Sequence, residues 1–252
     1  ASKAVIVNEI ITDQEFDILC LTETWIKQDD YVALNEASPP GYSYIHQPRL
    51  TGRGGGVAVI YNDNLSLVQK HSFKSNAFEV LYSNIKSAQS IPLIIIYRPL
   101  GPYSEFLCEF ADFLSNLVVS VDKALIAGDF NIHFENPEDP LRTAFMSLLD
   151  SVGVNQCVVG PTHKAGHTLD LILSFGLIIG NITTIPQSEV ISDHYLVSIK
   201  ACHSNNVCST APRYRFKRTF TSNTAQSFIN NLPELSTLIG SPSGFTEIDQ
   251  AT

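Results

Sequence analysis

Short apolar runs, each closing on a polar or ionisable residue, limit this fold more than any other feature. Asp17-Ile-Leu-Cys-Leu21 leads to Glu23, and Pro92-Leu-Ile-Ile-Ile-Tyr97 ends on a tyrosine. Ala124-Leu-Ile-Ala127 delivers Gly128-Asp-Phe-Asn131, and Glu189-Val-Ile191 delivers Ser192-Asp-His194. Such runs read as buried strands. Strands are also predicted over 57–61, opened by Gly54-Gly55-Gly56, over 65–73 and 78–85 as a pair, and over 168–174, 182–185 and 195–201. Asn62-Asp-Asn64 is turn chemistry, and residues 25–40 read as a loop-rich excursion ending in Pro39-Pro40-Gly41.

Helical spacing separates these runs. Residues 4–16 carry Val5, Ile6, Ile10 and Ile11 on one side. Residues 103–119 carry Phe106, Phe110, Phe113, Leu114 and Leu117, with Ser104 as the expected N-cap. Leu141–Val152 is a second amphipathic helix closed by Gly153. Helices between groups of strands predict an α+β layered sandwich.

Composition narrows the class. A chain of 252 residues, 44% hydrophobic, can bury a large core as one unit. The net charge of −9 excludes a nonspecific nucleic-acid coat, but not an enzyme that touches a few phosphates around a metal. The five cysteines, Cys20, Cys108, Cys157, Cys202 and Cys208, are scattered without a CxxC, as expected of reduced thiols. No apolar stretch is long enough for a membrane span, and Ala1-Ser-Lys-Ala-Val5 is not a signal peptide. The expected location is nuclear or cytoplasmic, not secreted, and the Asn64-Leu-Ser66 and Asn181-Ile-Thr183 sequons carry little weight there. After about residue 204 the chain turns polar, with a basic run Arg213-Tyr-Arg-Phe-Lys-Arg218. The expected division is a domain over 1–204 and a partly disordered linker over 205–252.

The polar residues at the strand ends suit hydrolysis of a phosphodiester with a divalent metal. Carboxylate-bound Mg²⁺ supplies Lewis acidity and holds phosphate oxygens. Glu23 is the candidate ligand. Asp129 can align or deprotonate the attacking water, and Asn131, two residues on, can hydrogen-bond the phosphate. His194 can donate to a phosphate oxygen, with Asp170 fixing its tautomer and favouring its cation. Asp193 is a second metal ligand or a second carboxylate on the water. Tyr97 can reach the phosphate from a strand end.

These tracts carry a resemblance. Leu21-Thr-Glu-Thr-Trp25, Gly54-Gly-Gly-Val-Ala58, Tyr97-Arg-Pro99, Gly128-Asp-Phe-Asn131, Thr168-Leu-Asp-Leu-Ile-Leu173 and Ser192-Asp-His194 resemble, in order, the endonuclease/exonuclease/phosphatase superfamily. The wording Thr-Glu-Thr-Trp, Tyr-Arg-Pro, Pro161-Thr-His163 and Gly166-His-Thr-Leu-Asp170 is most similar to the apurinic-type endonuclease domain of non-LTR (LINE-type) retrotransposons. The Trp-Cys-Asp-Arg signature of the superfamily's phosphoinositide phosphatases is absent.

The resemblance implies a DNase I-like, four-layered α/β sandwich, with two mainly antiparallel sheets flanked by helices. It implies that Glu23 binds Mg²⁺ (or Mn²⁺) and that Asp129 and Asn131 activate water and bind phosphate. Tyr97 would contact phosphate, and Asp170 and His194 would form a polarised pair with Asp193 beside them. Ser192 and Thr162 would sit near the DNA backbone. The product would be a nick with a free 3′ hydroxyl that primes reverse transcription. Partners would be DNA, held weakly given the charge, and a reverse transcriptase domain of a parent polyprotein. No Tyr-x-Asp-Asp tract occurs here.

The chain departs from the family pattern at its start. Family members begin with a strand bearing a metal-site Asn, expected at the centre of one sheet, and this sequence starts beyond it. Asn8 lies in a helical pattern and is no substitute. The neighbours of that strand are expected to expose backbone donors and acceptors. Two alternatives stand beside the endonuclease: a superfamily phosphoesterase acting on a small phosphorylated molecule or lipid, and an inactive truncated relic. Sequence specificity is expected to reside in loops over 25–55 and 174–190.

Overall fold

The computed structural model describes residues 3–49, 52–70, 73–86, 90–188 and 190–202. The expected linker from residue 205, with its basic run and Cys208, lies outside them. The described chain begins α1 (Lys3–Gln14), β1 (Ile18–Leu21), α2 (Val32–Ala37), β2 (Tyr42–Gln47) and β3 (Val57–Asn62). It continues β4 (Ser66–Gln69), β5 (Glu79–Lys86), β6 (Ile91–Tyr97), α3 (Tyr103–Ser120), β7 (Ala124–Asp129) and α4 (Pro140–Val152). It closes with β8 (Asn155–Gln156), β9 (Asp170–Phe175), β10 (Ile178–Ile185) and β11 (Leu196–Cys202).

Strand alternation explains the layers. In β6, Ile94 and Ile96 point to one face, where they pack with Phe106, Phe110 and Phe113 of α3 and Phe145 of α4. Leu93, Ile95 and Tyr97 point to the other, where they meet Val57 and Val59 of β3. β7 divides in the same way, Ile126 toward the helices and Leu125 and Ala127 toward the second sheet. A third cluster joins Ile11 of α1 and Ala37 of α2 to Leu19 and Ile60. The result is four layers: α3 and α4, a six-stranded sheet ordered β4-β5-β6-β7-β9-β8, a second layer of strands, and α1 with α2. Only the β6–β7 pair of the six-stranded sheet is parallel.

The second layer is interrupted. It consists of β1-β3-β2 and a separate β10-β11 ribbon. Among the described residues, the outer edges of β1 and β11 pair with no strand. Between them lies a cavity of about 890 Å³, walled by Ile18 and Cys20 on one side and Val197 and Ile199 on the other, with Leu93 and Leu125 at its base. Asn8 is indeed helical, and its amide donates to the Glu36 carbonyl at 3.0 Å, away from any site.

Four expectations are corrected. Residues 190 and 191, in the run before Ser192, form a turn with Val190 exposed rather than a buried strand. Residues 25–40 contain the short helix α2, and β2 follows at once. Pro102, not Ser104, occupies the N-cap of α3, without a side-chain hydrogen bond, so Ser104 lies inside the helix. Segment 174–190 holds β10, Ile178–Ile185, rather than being all loop. In β10 the register shifts between Gly180 and Thr183, with Asn181 at φ 49°, and this break in the apolar pattern left the first half unread as strand. The closing Gly153 of α4 is left-handed, as expected, with φ 72°.

Candidate active site

Backbone register assembles the site. β6 and β7 run parallel with Tyr97 opposite Asp129, and β7 and β9 run antiparallel with Asp129 opposite Asp170. Tyr97, Asp129 and Asp170 therefore form a row across three adjacent strands. All three share the parity of the residues facing the second sheet, so the row sits at the mouth between the two sheets.

Each member is held locally. The close approach of β7 to β6 requires Gly128: a Cβ there would lie 1.8 Å from the Ile96 carbonyl oxygen. Asn131 turns back with φ 49°, its backbone N–H donating to Asp129 Oδ1 at 2.9 Å and its amide to Asp129 Oδ2 at 3.2 Å. The same amide donates to the Arg98 carbonyl at 2.8 Å. Glu23 leaves the end of β1 with φ 50° and accepts a hydrogen bond from the Tyr97 hydroxyl. That turn is fixed by Trp25 N–H donating to the Gly55 carbonyl at 2.8 Å. Beneath it, Glu79 pairs with Arg49 and accepts the Gly56 N–H at 2.5 Å, and the Arg49 guanidinium lies 5.6 Å from the Tyr97 ring centre.

His194 closes the row. Its Nδ1 is 2.8 Å from Asp170 Oδ2. Its backbone N–H donates to the Ser192 hydroxyl at 3.0 Å, and a β-bridge to His163 fixes the segment.

The electrostatics follow from crowding. Burial pushes Asp129 up to about 7, helped by the charges of Asp170 and Glu23 and opposed by His194 and the Asn131 N–H. Burial works against the His194 cation, but the Asp170 hydrogen bond and the charges of Asp170, Asp129 and Asp193 outweigh it and lift His194 to about 9. Burial raises Tyr97 well above the usual phenol, with the Glu23 hydrogen bond and charge adding to it. Tyr97 is thus a neutral donor, His194 a cation and Asp129 a base poised near neutrality.

Thr162 stands elsewhere, whereas Asp193 stands beside His194, as expected, but not with Glu23. Thr162 is fully buried, and its hydroxyl accepts the N–H groups of Leu169 and Asp170, both at 2.9 Å. It cannot touch a DNA backbone; it fixes the start of β9. Asp193 is half-exposed and its carboxylate lies 3.2 Å from His163 Nε2. Among the described residues it groups with His163 and His194, not with Glu23. Sequence reading passed over two residues with site roles, His163 and Arg98, although both lie inside quoted motifs. Arg98 is buried and donates to the carbonyls of Phe130 and Asn131 at 3.2 and 3.1 Å, bracing the loop after β7. A basic residue inside Tyr-Arg-Pro was the available signal.

The sequence pattern of the Endonuclease/Exonuclease/phosphatase family matches residues 2–194. The chain belongs to that family. Its members are phosphoesterases and nucleases that depend on divalent metal. The fold resembles the endonuclease domain of TRAS1, a telomere-specific non-LTR retrotransposon, at TM-score 0.59 and 16% identity, over 77% of this chain and 88% of that one. It resembles a 3′ phosphatase from Neisseria bound to product DNA hairpin at TM-score 0.61 and 18% identity, over 78% and 93%. An AP endonuclease from Archaeoglobus fulgidus aligns at TM-score 0.59 and 17% identity, over 79% and 93%. No curated protein matches the sequence. The family agrees with the superfamily resemblance read from the motifs, and the DNase I-like layering with the fold expected from it.

The residues present suit the family's metal. Carboxylates of Glu23, Asp129 and Asp170 gather where burial and mutual repulsion hold Asp129 near 7, a charge excess that a hard divalent cation offsets. Asp129 and Asp170 offer carboxylate oxygens within 4.8 Å of each other and of a His194 ring nitrogen, and Glu23 adds an exposed carboxylate.

Proposed function

We propose that this domain is a Mg²⁺-dependent DNA endonuclease that cleaves one strand and leaves a 3′ hydroxyl, as a retrotransposon of the LINE type needs to prime reverse transcription. The observation that carries the reading is the row Tyr97–Asp129–Asp170 completed by His194. Mg²⁺ (or Mn²⁺), held by Glu23, would supply Lewis acidity at the phosphate. Asp129 orients the attacking water and takes its proton. Asn131 holds Asp129 by both its N–H groups, which leaves the carboxylate no freedom to turn from that water. The Tyr97 hydroxyl and the His194 cation offer donors to the oxygens that gain charge in the transition state. Asp170 keeps the His194 ring in one tautomer with Nε2 directed outward.

DNA is favoured as substrate by the rim. Trp25 stands 56% exposed beside Glu23, with the Arg53 guanidinium 5.5 Å from its ring centre. An open aromatic face next to a cation suits a base and its phosphate. The net charge of −9 makes the contact weak and salt-sensitive, so affinity would come from other parts of the polypeptide, a reverse transcriptase domain among them.

The test is a substrate comparison. Supercoiled plasmid, an abasic-site oligonucleotide and inositol phosphates are incubated with the chain in Mg²⁺ and in EDTA. Nicked plasmid whose ends a polymerase extends without prior treatment is the expected product. Turnover of inositol phosphates alone would assign the site to small phosphorylated substrates instead.

A further inference from the structure

Beside the hydrolytic site, and unused by it, three ligand-type side chains converge. His133 and Glu135 stand on the segment leaving β7, and His167 on the segment leading into β9. The Nδ1 atoms of His133 and His167 are 3.1 Å apart. Glu135 Oε1 is 3.2 Å from the first and 2.7 Å from the second. The two rings stand nearly perpendicular, 80° between planes.

We propose that His133, Glu135 and His167 form a binding site for a first-row transition-metal ion of the Zn²⁺ class, separate from the oxygen-rich centre at Glu23 and Asp129.

Protons alone leave one side of this triangle unfavourable. With both rings protonated at Nδ1, two donors face each other across 3.1 Å. With one ring deprotonated there, its lone pair faces the carboxylate oxygen. A cation takes up all three lone pairs at once. The size is right: ligands about 2.0–2.1 Å from a tetrahedral ion lie about 3.3 Å from one another. The observed sides need to open by about 0.1 to 0.6 Å, most of it between Glu135 and His167, on side chains that are more than a third exposed or nearly so.

Ligand chemistry selects the ion. Two imidazoles and one carboxylate suit zinc and its neighbours, whereas Mg²⁺ demands oxygen. Glu135 is set up as an anionic ligand. Its other oxygen accepts the Thr168 N–H at 2.9 Å, which fixes its direction. Burial opposes its charge, but that N–H and the two histidines outweigh it and hold Glu135 down to about 2. His133, half-exposed, leaves the fourth position open to water. An ion here would clip the segment after Asp129 to the segment before Asp170, and so brace the catalytic row without touching substrate.

The test is calorimetric titration of the 252-residue chain with Zn²⁺ in excess Mg²⁺, with thermal unfolding alongside. One Zn²⁺ per chain is expected, with a rise in Tm. His133→Asn and His167→Asn should each weaken binding at least tenfold and abolish the rise, while Glu23→Gln changes neither. Far-UV circular dichroism checks the variants, and Glu135→Gln supplies a near-isosteric third. No Zn²⁺ binding, or undiminished binding by the double variant His133→Asn/His167→Asn, would overturn the proposal. So would loss of binding on His163→Asn with retention in His133→Asn, which would move the ion to the His163–Asp193–His194 group.

Discussion

Asp129 and Asp170 are cross-strand partners in the β7–β9 register, and each is answered by a different neighbour. Asn131 holds Asp129, whereas His194 takes Asp170 at 2.8 Å. Two adjacent carboxylates thereby acquire two roles, one a base near neutrality and the other the anchor of a cation.

That division fixes a pH dependence. His194, raised to about 9 from an ordinary 6.5, contributes stability that is fully present below pH 6.5 and lost as pH rises through about 9. Asp170→Asn removes the main support of the cation. The His194 ring, followed by NMR, is expected to titrate near 9 in the native chain and at least one unit lower in the variant. The variant should also lose less stability than the native chain between pH 7 and 10. Identical titration in both would show that Asp170 does not hold the cation.

Thr162 offers a test of positioning without substrate contact. Its hydroxyl accepts two N–H groups in a fully buried place. Thr162→Val leaves both unpaired and should cost about 3 kcal/mol. Thr162→Ser keeps the acceptor and should cost less than half of that. Urea midpoints for the two variants decide it, and equal losses would mean that the methyl, not the hydroxyl, matters.

Gly128 and Gly153 should respond differently to the same change. At Gly153 a Cβ meets nothing within 4 Å, so Gly153→Ala carries only left-handed strain of about 1 kcal/mol. At Gly128 the Cβ would strike the Ile96 carbonyl, backbone that cannot move aside without parting β6 from β7. Gly128→Ala is expected to cost more than about 4 kcal/mol or to prevent folding. Comparable melting temperatures for the two would refute the close strand contact.

The cavity between β1 and β11 is bounded by two strand edges that pair with no strand among the described residues, over an apolar base. A segment of about six residues with alternating apolar side chains, added upstream of Lys3, should pair with those edges and raise Tm by at least about 4 °C. The same segment with a central proline, which cannot donate to the ladder, should give little. No difference between the two extensions would show that the slot does not accept a strand.

Much of this was legible in the sequence. Continuous apolar runs marked β1, β3, β6, β7 and β9, because strands buried on both faces need no polar alternation. The residues at the ends of β1, β6 and β7 and at the start of β9 make the candidate site: Glu23, Tyr97, Asp129 and Asp170 could be named before any register was known. What escaped depends on long-range contact. Thr162 looked like a surface residue because nothing local shows that it caps two N–H groups of β9. β2 and β10 carry Ser, His, Asn and Thr among their apolar residues, so their pattern is that of half-exposed ribbons. The triangle of His133, Glu135 and His167 joins positions more than thirty residues apart, and only the β7–β9 pairing brings them together.

The central claim is that Asp129, held by Asn131 and paired across the strands with Asp170, activates the water that cleaves DNA. The most direct measurement is the rate of supercoiled plasmid nicking in Mg²⁺ by the chain and by Asp129→Asn, with unfolding midpoints measured on both. The account predicts metal-dependent nicking that falls at least a hundredfold in Asp129→Asn while the fold is retained. Nicking at an unchanged rate by a folded Asp129→Asn would contradict it.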